Sequence, residues 1–370
     1  MLGVFPSQKS FDKVPAMALR RKGQDRIKLL TVITLIFVVL YLYGIPSLPP
    51  TRPESRRKPG WQDRSTPRGA ASNSTLGFQK ILALSKGPSW RSRGLLAAAG
   101  HSSVNVEIPR QPHITSEMID AFRHIGVKGE SQMPHGSAHA WLAHLDLIKY
   151  GVSSGLDTFM IVEDDVDWDV SVKGQMALIS DNVRKFLEVT KSDSSPYGRS
   201  WDVLWLGHCG EHTDVDTPRV EFADSTVPLA ANYTGWADKY LKLLKPGNRA
   251  IQRAINPVCS FGYALTAHGA QRVLDWAGKG GSEAYDIKLM LGCKLNQLDC
   301  ITVTPEIMHH YTPSKALGYH SLVQAENGKG ASVAEETYET TMGATENIRQ
   351  SARCRVLFDS TCVKKQRDYF

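Results

Sequence analysis

Residues 158–169 read TFMIVEDDVDWD, and this run constrains the fold more tightly than any other. Thr158–Val162 is a strand-forming run with consecutive apolar side chains, which alternate to both faces of a strand. Both faces must therefore be covered, as in the strands of a parallel sheet layered with helices. The run then stops in five carboxylates within seven residues: Glu163, Asp164, Asp165, Asp167 and Asp169. Acidic groups at the tip of a buried strand are costly unless an opposite charge compensates them. The expectation is an α/β domain with its chemistry at the carboxyl end of this strand.

The surrounding segments fit such a domain. QKILAL (79–84) reads as a strand, a turn containing Gly87 and Pro88 follows, and Trp90–Ala99 reads as a helix stopped by Gly100. Val104–Ile108 reads as the next strand. The run 137–151 is predicted as a helix from an N-capping Ser137 to a terminal Gly151, with Ala138, Trp141, Leu142, Leu145 and Ile148 on one buried face. Asp202–Leu206, Phe261–Ala267 and Ile301–Val303 read as further strands, with a helix over Gly269–Ala277.

A divalent cation is the natural partner for the acidic run, because carboxylate oxygens are hard ligands suited to Mn²⁺ or Mg²⁺. Strand alternation would send Glu163 and Asp165 to the same side. A metal there would bridge a diphosphate and make it a better leaving group. Two other readings stand beside this one. One is a solvated acidic loop. The other is a glycosidase carboxyl pair, completed by Asp286 or Glu306.

Charge and hydropathy divide the chain. Residues 1–28 hold seven basic and two acidic side chains, and residues 29–75 hold six and two. From residue 76 onward 31 basic face 33 acidic residues, so a nucleic-acid partner is not expected. Leu29–Ile45 is an uncharged run of 17 residues behind a basic leader. It reads as a single-pass signal anchor in preference to a cleaved leader or a core helix. All six cysteines lie beyond residue 208, and sequons occur at Asn73 and Asn232. Together they favour a cytosolic tail (1–28), a membrane anchor (29–45), a flexible stem (46–75) and a lumenal domain (76–320) with a C-terminal extension (321–370). Cys293 with Cys300 and Cys354 with Cys362 are close in sequence, although six cysteines allow 15 pairings.

The string GSAHAWLAHLDLIKYGVSSGLDTFMIVEDDV resembles the signature of glycosyltransferase family 25, the lipopolysaccharide and procollagen galactosyltransferases. Gly136, His144 and Glu163-Asp164-Asp165 carry the match, while Ala143 and Ala140 stand where the family has Ser and Cys. ILALSKGPSWRSRGLL, with Arg91, is similar to the family's opening strand and turn, and DVLWLG, FGYALTAHGAQRVL and Tyr285-Asp286 are similar to later segments, so the likeness loosely spans residues 78–312.

The resemblance implies a GT-A-like, Rossmann-type nucleotide-sugar fold with a mixed, mostly parallel sheet. It implies hexose transfer, commonly of galactose, from a UDP-sugar to a glycan or glycoprotein acceptor, on a type II protein of the Golgi or ER membrane. Asp165 is then the expected metal ligand, joined by one of His309 and His310, with His309 assigned. Arg91 and Glu163 are assigned to the bound nucleotide and cofactor. Asp286 and Asp164 are the candidate catalytic carboxylates. His144 either orients the acidic run or simply packs.

Overall fold

The computed structural model describes residues 66–125, 133–319, 321, 323 and 333–362. The expected anchor at 29–45 lies outside them, as do the basic tail and residues 46–65 of the expected stem. Among the described residues no helix is long and apolar enough to cross a membrane.

Eleven strands are described: β1 (Lys80–Leu84), β2 (Val106–Glu107), β3 (Thr158–Glu163), β4 (Val166–Trp168), β5 (Val203–Gly207), β6 (Arg219–Ala223), β7 (Asn248–Arg253), β8 (Gly262–Thr266), β9 (Cys300–Thr304), β10 (Met308–Thr312) and β11 (Ala344–Thr345). Eight of them form one mixed sheet in the order β2-β1-β3-β8-β5-β9-β7-β6. Six run in one direction, and only β8 and β7 run against them. The expected α/β architecture with a mostly parallel sheet is therefore present. A second, three-stranded antiparallel sheet has the order β11-β10-β4.

The continuous apolar run of β3 is explained by two cores. Met160 and Val162 pack on one face with Ile81, Leu204 and the helices Trp90–His101 and Val172–Phe186. Phe159 and Ile161 pack on the other face with Trp205, Leu265 and the helices His135–Ser153, Ala267–Ala277 and Tyr285–Lys294.

Boundaries moved where packing overrode local signals. Ser137 and Gly151 lie inside the His135–Ser153 helix instead of at its ends. Gly151 is kept there by contact: an added Cβ would sit 2.4 Å from the Phe159 ring. Residues from Thr66 onward, inside the expected stem, are already part of the body. The helix Pro67–Ala71 buries Ala70 and Ala71, and Arg68 pairs with Asp181.

The C-terminal extension is built into the body as well. Strand β11 and the helix Ala352–Phe358 contribute to it, and that helix packs on Trp90–His101. The anchor is Asp167 on β4, which is fully buried. Its carboxylate accepts hydrogen bonds from the Thr345 and Ser351 hydroxyls and from the Arg353 and Trp168 amides. Three disulfides, Cys209–Cys259, Cys293–Cys300 and Cys354–Cys362, use every cysteine.

Candidate active site

Strands β1, β3 and β5 end at the same edge of the sheet, and β8 starts there because it runs the other way. At this edge β3 delivers Glu163, and the chain turns through Asp164 and Asp165 into β4. The turn ends the strand alternation that would have aligned Glu163 with Asp165, so each of the three carboxylates meets different neighbours.

Asp164 accepts a hydrogen bond from Ser85 Oγ at 2.7 Å, from the turn after β1. Arg91, in the first turn of the following helix, lies 3.9 Å from Asp164 and 3.6 Å from Asp165. Only 9% of Arg91 is exposed, and its Nε has no hydrogen-bond partner. The arginine is thus part of the site and not a solvated first-turn side chain. His310 Nε2 lies 3.3 Å from Asp165 Oδ2, and its ring stacks on Phe261. Glu163 accepts from Ser260 Oγ at 2.8 Å, with the His144 ring 3.8 Å away.

These contacts separate the acidities of the three groups. Burial, reinforced by the Asp165 charge, pushes Glu163 up to about 7 and Asp164 up to about 6. Burial acts on Asp165 in the same sense. There, however, His310, Arg91 and Arg353 outweigh it and hold the carboxyl well below its usual range. Burial likewise opposes a charge on His310, and Asp165 and Glu163 reverse that and raise the imidazole. The result is one firmly ionised carboxylate beside two that resist ionisation. Burial lowers His144 to about 3, so this histidine is neutral. It stacks on Tyr285, meets the Tyr263 hydroxyl at 3.0 Å and reaches the acidic run through Ser260 and Glu163.

Asp286 stands in the first turn of Tyr285–Lys294, where its Oδ2 accepts the Cys259 amide at 2.7 Å. Cys259 has a φ of 68°, a left-handed conformation, and the next residue is the Ser260 that holds Glu163. Asp286 therefore fixes the loop beside the site, and its charge bears on Glu163.

His309 is not brought to Asp165. Alternation along β10 sends it to the opposite face from His310, and its Nδ1 lies 3.6 Å from Glu306. The histidine beside Asp165 is His310. Glu306 belongs to a closed network, accepting from Tyr233 Oη at 2.7 Å and Asn347 Nδ2 at 3.0 Å. Burial opposes its ionisation, yet His309, His208 and Tyr233 hold its carboxyl at about 2, which removes it as a proton donor.

Arg353 is the site component that sequence reasoning missed. It is 1% exposed, lies 4.5 Å from the Tyr311 ring centroid and 5.3 Å from that of Trp90, and donates to the Trp90 carbonyl. Nothing in the sequence around Arg353 signals that it returns to β4 and contributes a cation.

Among the described residues, no group of three or more His, Cys, Asp and Glu side chains forms a metal-holding cluster by itself. The donor chemistry nonetheless fits a divalent cation that completes its shell with substrate oxygens. Asp165 and His310 supply an oxygen and a nitrogen side by side, and burial together with the Asp165 charge opposes ionisation of the two neighbouring carboxyls. No known family model matches the chain, and no curated protein matches it.

Proposed function

We propose that the protein is a metal-dependent glycosyltransferase with a GT-A-like nucleotide-sugar domain, moving a hexose from a UDP-sugar to a glycan or protein hydroxyl. Galactose is the sugar suggested by the sequence resemblance, and the setting is the lumenal side of the Golgi or ER membrane. One observation carries the reading. The acidic tip of a doubly buried central strand meets a buried arginine and a histidine at the sheet edge where open α/β folds bind ligands.

Mn²⁺ or Mg²⁺ would be held by Asp165 and His310 and, when bound, would neutralise charge on the leaving diphosphate. Arg91 offers a guanidinium for the donor phosphates. Transfer breaks the bond from the anomeric carbon to the diphosphate oxygen and forms a bond to the acceptor oxygen. The acceptor proton passes to a carboxylate. Asp164 and Asp286 are the candidates, and Glu163 has its proton affinity placed near neutrality for such a task. Ser85 and Ser260 orient Asp164 and Glu163.

The test is release of nucleotide by the detergent-solubilised full chain with a panel of nucleotide sugars, glycan and hydroxyl-bearing peptide acceptors, and either Mn²⁺ or EDTA. The expected outcome is release from one UDP-sugar that requires metal and acceptor and is lost in Asp165→Asn. Metal-independent hydrolysis of a glycoside without a nucleotide donor would replace this reading with a glycosidase. Metal-dependent glycan binding without turnover would replace it with a binding protein.

A further inference from the structure

The sequon Asn232-Tyr233-Thr234 takes no part in the site described above, and the fold treats its three residues very differently. Tyr233 is 3% exposed and donates its hydroxyl to Glu306. Thr234 is pinned twice, by its amide to Asn347 at 2.8 Å and by its hydroxyl to Glu346 at 2.7 Å. Asn347 in turn donates to the Thr234 carbonyl. Asn232 ends the short 3₁₀ turn Ala230–Asn232 that precedes these anchors. It is exposed, and its side-chain amide makes no hydrogen bond among the described residues. The turn is therefore held rigidly from beneath while the asparagine faces outward. Within four residues lie two exposed apolar side chains, Leu229 at 70% and Trp236 at 39%.

Compartment chemistry agrees with this geometry. All six cysteines are paired and none is free, the state expected of a domain folded in an oxidising lumen. The same compartment supplies polyisoprenyl-diphosphate oligosaccharides. We propose that Asn232 is an N-glycosylation site whose glycan covers the Leu229–Trp236 surface. In the transfer, the Asn232 amide nitrogen forms the bond to the anomeric carbon. The bond from that carbon to the diphosphate oxygen breaks, the lipid diphosphate leaves, and one amide proton passes to a base of the transferring enzyme. This inference rests on the lumenal placement of the domain but not on its catalytic activity.

Asn73 provides the internal contrast. Its Oδ1 is committed to a local turn, accepting the Thr75 amide at 2.8 Å and the Gly77 amide at 3.1 Å. Asn73→Gln therefore serves to assign gel shifts to one position or the other.

The test expresses the full chain in eukaryotic cells and isolates sealed microsomes. External protease reports which side of the membrane the domain occupies. Peptide-N-glycosidase in heavy-oxygen water, followed by mass spectrometry, reports which asparagine carried a glycan. The expected result is a protected domain in which residue 232 is recovered as ¹⁸O-labelled aspartate. Asn232→Gln should lose one glycan step on a gel in both the wild-type and Asn73→Gln backgrounds. Thr234→Ser, which keeps the hydroxyl, should remain modified. An unmodified Asn232 in a protected, disulfide-bonded domain overturns the proposal and leaves the lumenal reading intact. Digestion of the domain from outside overturns the lumenal reading and this proposal with it.

Discussion

Asp167→Ala tests whether the C-terminal segment is structurally part of the folded body. The buried carboxylate accepts from Thr345, Ser351 and Arg353 of the tail and from its neighbour Trp168. A hydrogen bond to a charged acceptor contributes about 1.5–3 kcal/mol. The three tail donors, taken at the lower end, sum to ~4–5 kcal/mol. For a body of this size each kcal/mol lowers Tm by about 2 °C, so a fall of roughly 8–10 °C is expected. Guanidinium unfolding followed by tryptophan fluorescence gives the stability. Limited proteolysis shows whether the tail opens first. Because Arg353 hangs on the same anchor, cleavage near residues 340–350 should accompany loss of nucleotide release. Asp167→Asn is expected to lose less, since the hydroxyls can rotate to accept from its amide. A stability loss below about 1 kcal/mol, with the tail no more sensitive to protease, would refute the reasoning.

Three further outcomes follow from buried groups elsewhere. Arg249→Met strands Asp224 and frees the carbonyls of Pro305 and Glu306, so a loss of about 3–5 kcal/mol is expected in the same unfolding assay. Gly269→Ala places a Cβ 2.2 Å from the Asp202 carbonyl oxygen and 2.4 Å from its Cα, a backbone clash. The cost should exceed the usual 1–3 kcal/mol of overpacking, seen as a collapse of soluble yield or of Tm. Glu211 is pushed up to about 8 by burial, which outweighs three backbone amide donors. The folded state therefore holds a proton that the unfolded state has released, and stability falls as pH rises from about 4.5 through about 8. Glu211→Gln should flatten that slope and raise the unfolding midpoint at the alkaline end; an unchanged slope would refute the assignment.

What could be read from the sequence was what hydrophobicity announces. Strands β1, β3, β5, β8 and β9 are short apolar runs between turn residues, and each is found near its expected place. Strands β6 and β7 escaped because RVEFA and NRAIQR mix charged and polar residues among the apolar ones and carry little periodicity; in β7 Arg249 and Gln252 are buried all the same. The acidic tip was legible because charge at the end of an apolar strand is anomalous, whereas Arg91 was reached only through the family resemblance. The choice between His309 and His310 was not legible, since it depends on the register of β10 against β4, which adjacent histidines do not encode. Arg353 was hidden for a similar reason: its place is set by long-range bonds to Asp167, not by its own neighbours in the chain.

Those long-range bonds have a consequence for how the protein is made. The partners of Asp167 lie 178, 184 and 186 residues downstream. During vectorial synthesis the central sheet can assemble while the carboxylate at its edge still lacks these partners. The acidic edge takes its final form only once residues 345–353 have emerged. A nascent chain stalled before residue 345 would carry the layered sheet and an open, uncommitted edge. The proposed transferase activity would therefore appear only after residues 345–353 have joined the sheet edge.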